Sequence, residues 1–131
     1  MQVKSEIAQS VPQSGVVASS PGTLLAIPPE WALRILSIEE MMTILTISGW
    51  PLELISQALS VSRGESGWIP GNSNGHYMGL FQLDAPFWFN YCGQDYNLWY
   101  DPVVNATCAY AVYRYDINRG NEAWAQWEVK P

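Results

Sequence analysis

Residues 64–84 read GESGWIPGNSNGHYMGLFQLD, and this stretch separates two apolar halves of the chain. Up to Gly79 it contains five Gly, two Asn and one Pro, a composition that ends helices and predicts a long irregular loop or a small β-ribbon. On both sides of it, apolar residues recur at spacings of three and four, which is typical of helices. The sequence therefore predicts a mainly α fold of the α+β type, with helices around one small irregular or β-ribbon loop.

Capping signals mark the helices before this loop. Ser37, followed three residues later by Glu40, has the pattern of a capping box and predicts a helix that Gly49 ends. Pro51 suits the first turn of a second helix, which runs toward Glu65. The apolar stripe of that second helix is expected at Leu52, Ile55, Leu59 and Ser62. A short helix opened by Pro29 is expected to precede both, with apolar side chains at Trp31, Leu33 and Leu36.

A further helix and a pair of cysteines follow the loop. Asp101-Pro102 predicts the start of this helix and Gly120 predicts its end. Its apolar face is expected at Val104, Cys108, Ala111, Val112 and Tyr115, and a last turn at Trp124 and Trp127. Cys92 and Cys108 are close enough in sequence for a disulfide with a loop-entropy effect of roughly 3 kcal/mol. Two buried free thiols are the alternative, whereas a disulfide would imply an oxidising compartment.

Length and composition indicate one domain with a separate leading segment. With 131 residues and 48% hydrophobic content, the chain can bury a single core. Residues 1–27 are rich in Ser, Gln, Pro and Gly and show no sustained period, which predicts a flexible arm or linker. Residues 28–131 are predicted to form the folded domain.

Charge and hydropathy exclude several classes of partner. The formal net charge is -6 and no cluster of Lys and Arg is present, so nucleic acid is not an expected partner. The apolar runs are shorter than the roughly 20 residues that a membrane helix needs, so no membrane span is expected. His76 is the only histidine, so we expect neither a metal site nor another cofactor.

Two segments carry a resemblance to a known group of proteins. ESGWIPGNSNGHYMGLFQL, residues 65–83, resembles the lysozyme-like domains of soluble lytic transglycosylases, goose-type lysozymes and phage wall-degrading proteins, where an ESG-type Glu is followed by a GLMQ or GLFQ segment. DPVVNATCAYAVY, residues 101–113, is similar to the Asp-Pro, Asn, Ala and Tyr pattern on the following helix of those domains. The resemblance covers about residues 37–127 and implies a lysozyme-like fold, with helices around a substrate cleft.

The resemblance makes Glu65 the catalytic acid. Glycosidic cleavage needs a carboxyl group that is still protonated near neutral pH, because the departing sugar oxygen is a poor leaving group without a proton. The C-terminal end of a helix disfavours negative charge, and a neighbouring aromatic such as Trp68 withdraws water, so both raise a carboxyl pKa. We therefore expect a raised pKa for Glu65, and an ordinary solvated Glu is the alternative.

The resemblance also implies a set of substrate-binding residues: Ser66, Ser73, Gly79, Gln82, Tyr110 and Tyr113. Gly79 is expected to let the backbone approach a sugar, and Gln82 to offer its amide. Ser66 either holds Glu65, touches the sugar, or is only a helix-end hydroxyl. Other aromatic side chains that suit the flat face of a pyranose ring are Trp68, Tyr77 and Trp88.

The role of Asp84 decides which of two reactions is expected. Goose-type lysozymes carry an Asp at the same offset from this segment, where a second carboxylate positions water and makes the enzyme a hydrolase. Asp84 followed by Ala85-Pro86 is equally suited to cap a helix. In that case the resemblance implies the lytic transglycosylase route, in which Glu65 acts as acid and then base while the sugar's own C6 hydroxyl attacks. Those enzymes usually carry Ala-Tyr-Asn where this chain reads NEAWAQWEV, residues 121–129, so both routes stay open.

The expected substrate is peptidoglycan, cut at the β-1,4 bond between N-acetylmuramic acid and N-acetylglucosamine, with Glu65 and Asp84 as the catalytic residues. Its glycan strands are the expected partner of a monomeric protein. The expected location is extracellular or at the cell wall, after secretion or delivery by a phage. Two alternatives belong to other classes: a domain that binds peptidoglycan or chitin without cutting it, and a structural piece of a phage tail or secretion assembly.

Overall fold

The computed structural model describes residues 27–131. Over this range it contains four α-helices: α1 (Ile38–Ile47), α2 (Leu52–Ser66), α3 (Ala85–Cys92) and α4 (Pro102–Asn118). Two short strands, β1 (Tyr77–Met78) and β2 (Leu83–Asp84), form an antiparallel ribbon, and 3-10 turns span Glu30–Leu33 and Tyr96–Leu98. The prediction of a mainly α fold with a small ribbon is therefore confirmed. The arm predicted for residues 1–27 lies outside the described residues except for Ile27.

Two of the predicted helix starts, those of α1 and α4, are present with side-chain capping hydrogen bonds. The amide of Glu40 donates to Ser37 Oγ at 3.1 Å, and the amide of Ser37 donates to Glu40 Oε1 at 2.9 Å, which completes a capping box for α1. Asp101 Oδ1 accepts from the amides of Val103 and Val104 at 2.9 and 3.1 Å and caps α4. Local sequence signals therefore set these two boundaries.

One helix prediction is confirmed only in part, and one detail of another is wrong. The short helix expected after Pro29 is present as a 3-10 helix, but Leu33, expected on its apolar side, is 55% exposed and Ala32 is buried instead. Leu52, predicted in the apolar stripe of α2, is 86% exposed because it begins the helix before the core is reached. Ile55, one turn later, is buried.

A stack of aromatic rings forms the centre of the core. The Trp50 ring is stacked with Phe81, at 5.5 Å and 12°, and with Trp124, at 5.4 Å and 6°. Trp127 makes edge contacts with Phe81 at 6.3 Å and with Trp124 at 5.2 Å. The stack therefore joins three parts of the chain: the connection between α1 and α2, the turn between the strands, and the segment after α4.

A disulfide joins the end of α3 to the middle of α4. Cys92 and Cys108 are bonded, with their Cα atoms 5.5 Å apart, so the disulfide prediction is confirmed. Closing this loop stabilises the protein mainly by restricting the unfolded chain, by roughly 3 kcal/mol. Within residues 27–131, no helix combines the length and the apolar character that crossing a bilayer requires.

Candidate functional site

Two adjoining recesses form one cleft beside the ribbon. They share the lining residues Tyr77, Gln82, Gln126 and Trp127. The Glu65 recess has a volume of about 180 Å³ and also contains Asn74 and Glu128. The Asp84 recess has a volume of about 210 Å³ and also contains Leu83, Phe87 and Trp88. The structure thus brings Glu65, Gln82 and Asp84 to one cleft.

Glu65 lies in this cleft at the penultimate position of α2, as predicted, and is half-buried. Burial raises the pKa of its carboxyl group above the ordinary value, and the negative charge of Glu128 adds to the rise. The amide of Val129 donates to Glu65 Oε2 at 3.1 Å, which acts in the opposite direction on the pKa without cancelling the rise. Glu65 therefore keeps its proton to a higher pH than a solvated Glu does.

The C-terminal segment, residues 126–130, covers the end of α2. A Cβ atom added to Gly64 would lie 2.5 Å from Val129 Cγ1, so Val129 packs directly on the helix backbone. Lys130 Nζ donates to the carbonyl oxygens of Trp124 and Trp127 at 2.8 and 2.6 Å, which holds the segment in a compact turn. This segment brings to Glu65 a hydrogen-bond donor that lowers its pKa and a negative neighbour that raises it, while burial has the larger effect.

Trp68, predicted to withdraw water from Glu65, lines neither recess. Its indole Nε1 donates to the carbonyl of Leu59 and to Ser62 Oγ at 3.2 and 3.1 Å, and the guanidinium of Arg63 lies 5.4 Å from its ring centre. Trp68 therefore packs along the side of α2, and Trp127 is the indole that lines the cleft beside Glu65.

The turn between the strands is held by Asn105, which is fully buried in α4. Its Nδ2 donates to the carbonyls of Met78 and Trp99 at 3.0 and 3.1 Å, and its Oδ1 accepts from the amide of Phe81 at 2.9 Å. Gly79 has φ +84°, and a Cβ atom there would lie 2.6 Å from the carbonyl oxygen of Trp99. The close approach that Gly79 permits is thus to the protein's own loop and helix, whereas an approach to sugar was predicted.

Gln82 lines both recesses, but its amide nitrogen has partners within the protein. Its Nε2 donates to the carbonyls of Asn72 and Gly79 at 3.0 and 2.9 Å. The residue is 7% exposed and adopts a φ of 47°, which is unusual for a residue with a side chain. Gln82 therefore fixes the shape of the cleft wall, and the predicted contact of its amide with sugar stays a prediction.

Asp84 is half-buried at the position before the first residue of α3, and its side chain makes no capping hydrogen bond. Its cross-strand partner in the ribbon is Tyr77, which lines both recesses. Burial raises the pKa of Tyr96, and the charge of Asp84 raises it further. The alternative in which Asp84 only caps a helix thus lacks the bond that a cap requires.

The two predicted serines do not reach the cleft. Ser66 is 2% exposed; its hydroxyl donates to the carbonyl of Ser62 at 3.0 Å and accepts from the amide of Trp68 at 3.2 Å. This geometry is that of a helix-end hydroxyl, one of the three roles predicted for Ser66. Ser73 is exposed and forms a β-bridge with Met78, while its neighbour Asn74 lines the Glu65 recess.

Tyr110 and Tyr113, predicted to touch substrate, line neither recess. Their rings lie 5.0 and 5.8 Å from that of Trp50, and Tyr113 also contacts Trp124 at 5.0 Å. The guanidinium of Arg114 lies 4.7 Å from the ring centre of Tyr110. Both tyrosines therefore extend the aromatic core on the side of α4 that faces Trp50.

Sequence reasoning missed the residues that contribute through long-range contacts. Val129 acts through a backbone amide, for which no side-chain pattern exists. Asn105 begins an Asn-Ala-Thr triplet, which is the sequence pattern of an N-glycosylation site, but full burial of its side chain excludes that modification. The one sequence signal that could have identified Asn105 is the Asn in the Asp-Pro, Asn, Ala and Tyr pattern that residues 101–113 share with the lysozyme-like domains.

A larger recess, of about 440 Å³, lies elsewhere and includes Trp31, Arg34 and Glu40. The guanidinium of Arg34 contacts Glu40 Oε2 at 2.6 Å and, with the capping hydrogen bond from Ser37, lowers the pKa of Glu40 to about 2. A carboxylate held ionised in this way is a poor proton donor. In the described part of the chain, no group of three or more His, Cys, Asp or Glu side chains is placed to hold a metal ion.

The cleft combines three chemical groups along one surface: a half-buried carboxyl group with a raised pKa, a second carboxylate without a capping bond, and a partly exposed tyrosine ring. A carboxyl group of the first kind can protonate a leaving group near neutral pH, and the second can orient water. Comparison of the chain with protein-family profiles, curated proteins and solved structures gives no match.

Proposed function

We propose that the protein has a lysozyme-like fold and cleaves the β-1,4 bond between N-acetylmuramic acid and N-acetylglucosamine in peptidoglycan. Glu65 is the general acid that protonates the glycosidic oxygen. The observation that carries the proposal is the position of the Glu65 carboxyl group in a cleft, where burial raises its pKa. The ESG and GLFQ segments give the substrate class through their resemblance to wall-degrading domains.

The other residues of the cleft support a sugar substrate. Tyr77 is 49% exposed and offers an aromatic face of the kind that stacks on the C–H surface of a pyranose ring. Trp127 lines both recesses, and its indole Nε1 donates to the carbonyl of Phe81 at 2.8 Å, so the ring is fixed in place. A fixed aromatic wall beside a proton donor suits the uncharged pyranose rings of a glycan backbone.

Asp84 supports hydrolysis as the outcome. In the hydrolytic route Asp84 positions a water molecule, Glu65 protonates the leaving oxygen, and the product carries a reducing end. The absence of a capping bond to the Asp84 side chain favours this role over a purely structural one. In the lytic transglycosylase route, Glu65 acts alone as acid and then base, and the product carries a 1,6-anhydro end.

The test is digestion of purified peptidoglycan followed by mass spectrometry of the soluble products. Hydrolysis yields reducing ends, whereas transglycosylation yields 1,6-anhydro ends that are lighter by one water. Asp84→Asn should lower turnover with little change in thermal stability if Asp84 positions water. A change confined to the melting temperature would assign Asp84 a structural role, and no soluble product from the wild-type chain would refute the enzymatic proposal.

A non-catalytic wall-binding domain is the main rival from another class. The raised pKa of Glu65 disfavours it, because a protein that only binds sugar has no use for a proton donor. Retained binding to peptidoglycan by a Glu65→Gln variant that releases no product would support the enzyme. The disulfide supports the proposed extracellular or wall-associated location, since such bonds persist in oxidising compartments; a monomeric state is part of the same proposal.

A further inference from the structure

The outer face of α3 carries aromatic side chains next to the cleft. Phe87 is 61% exposed and Tyr91 is 51% exposed. The two are four residues apart in a helix and therefore lie on the same side, about 6 Å apart along the axis. Phe87 also lines the Asp84 recess, so the aromatic face and the cleft share this residue.

Both exposed rings are supported from beneath. Trp88, which is buried, makes edge contacts with Phe87 at 4.8 Å and with Tyr91 at 5.6 Å. Tyr91 also contacts Tyr115 of α4 at 5.3 Å, and the disulfide at Cys92 ties the end of α3 to α4. Exposed rings that are already fixed lose little conformational freedom when a ligand covers them.

We propose that Phe87 and Tyr91 form an additional sugar-binding subsite, which takes a further pyranose ring of the glycan strand beyond the one at Asp84. This inference rests on the proposed function. It extends the binding surface along α3, and it makes the protein prefer long glycan chains over short ones.

The chemistry of α3 selects this occupant. Residues 85–92, APFWFNYC, contain no Asp, Glu, Lys or Arg, so the helix offers nothing to an ionic partner. Aromatic faces that are exposed but rigid suit the C–H surface of neutral sugar rings. Phe87 belongs both to this aromatic surface and to the Asp84 recess. A glycan strand bound at Glu65 and Asp84 would therefore meet this surface with its next sugar ring.

The experiment uses the full chain with Glu65→Gln, which prevents cleavage during the measurement. Isothermal titration with the tetramer and the hexamer of N-acetylglucosamine gives a Kd for each. Adding Phe87→Ala and Tyr91→Ala should weaken hexamer binding by about tenfold and tetramer binding by much less, since only Phe87 of the two also lines the Asp84 recess. Phe87→Tyr with Tyr91→Phe, which keeps both rings, should restore hexamer binding.

Leu52→Ala is the matched control, because it removes an exposed apolar side chain on α2 that lines neither recess. It should leave both affinities unchanged. If the protein with Phe87→Ala and Tyr91→Ala binds the hexamer as tightly as the protein that keeps both rings, the subsite is overturned. Product release by the wild-type chain would in that case still support the proposed function. Self-association that the two alanine substitutions abolish, measured by sedimentation, would instead make this face a contact between two copies and would also overturn the subsite.

Discussion

Two glutamates of this protein, Glu40 and Glu65, show how the surroundings of one side-chain type decide its protonation. The guanidinium of Arg34 and the amide of Ser37 both donate to Glu40, and its pKa falls to about 2. Burial raises the pKa of Glu65, and the negative charge of Glu128 adds to the rise, while the hydrogen bond from the amide of Val129 opposes it. The first group is a permanent anion that stabilises a helix start, whereas the second can hold and release a proton. The presence of a carboxyl group in a recess therefore does not by itself indicate catalysis.

The largest expected difference between the two glutamates is in catalysis. Glu65→Gln should lower the release of soluble peptidoglycan fragments by about 10²- to 10⁴-fold, because the variant cannot donate the proton that the leaving oxygen needs. Glu40→Gln is the matched control and should keep most of the activity, since its carboxylate lies in the other recess. Equal losses in the two variants, measured by turbidity of wall suspensions, would remove the distinction between the sites.

The next largest effect is expected on stability, at Asn105, the uncharged side chain that holds the turn between the two strands beside the cleft. Asn105→Ala should lower the free energy of unfolding by about 3 kcal/mol, because the carbonyls of Met78 and Trp99 and the amide of Phe81 lose a buried partner. Urea denaturation measures this change. Asn97→Ala removes an exposed amide and should change the free energy by less than about 0.5 kcal/mol. A similar small change for Asn105→Ala would show that the cleft wall does not depend on its amide.

The pH dependence of stability should have opposite signs at the two glutamates. The depressed pKa of Glu40 stabilises the fold above pH 4.5, and this stabilisation is lost as the pH falls toward 2. Because Glu40 is 41% exposed, its contribution at neutral pH is expected to be only about 1 kcal/mol relative to Glu40→Gln. The raised pKa of Glu65 works the other way, so wild type should lose stability relative to Glu65→Gln as the pH rises through that pKa. Urea denaturation of the wild type and of each Gln variant at several pH values measures the free energy of unfolding. A stability difference that changes with pH in the same direction for both glutamates would contradict the opposite pKa shifts.

The smallest effect is expected from the charge that the C-terminal segment places near Glu65. Glu128→Gln removes a negative neighbour and should lower the pKa of Glu65, which moves the alkaline limb of the pH–rate profile to lower pH by a fraction of a unit. Glu122→Gln, in the exposed turn after α4, should leave the profile unchanged. An unshifted limb in both variants would mean that burial alone sets the pKa.

Local sequence signals predicted most of the secondary structure. The capping pair Ser37 and Glu40, the Asp101-Pro102 start and the glycine-rich stretch each depend on residues a few positions apart, so their structure follows from local chemistry. The prediction that Leu52 is part of the apolar stripe of α2 was wrong, because residue spacing identifies a helical face but not how far along the helix the core extends. The lysozyme-like fold and activity stay predictions.

The candidate site was predictable only in part. Glu65, Gln82 and Asp84 fall at one cleft, as the motif spacing suggested. Val129 could not be identified, because its contribution is a backbone amide brought 64 positions along the chain to Glu65. Tyr110 and Tyr113 line neither recess, because the side of a helix that faces the core depends on tertiary packing and here their rings contact Trp50.

The stacked rings of the core give the protein a built-in optical reporter. Trp50 and Trp124 lie 5.4 Å apart and almost parallel, a geometry that couples their electronic transitions. Trp124 in turn contacts Trp127, whose indole lines the cleft. Occupation of the cleft should therefore change the fluorescence emission and the near-ultraviolet circular dichroism of the unlabelled chain.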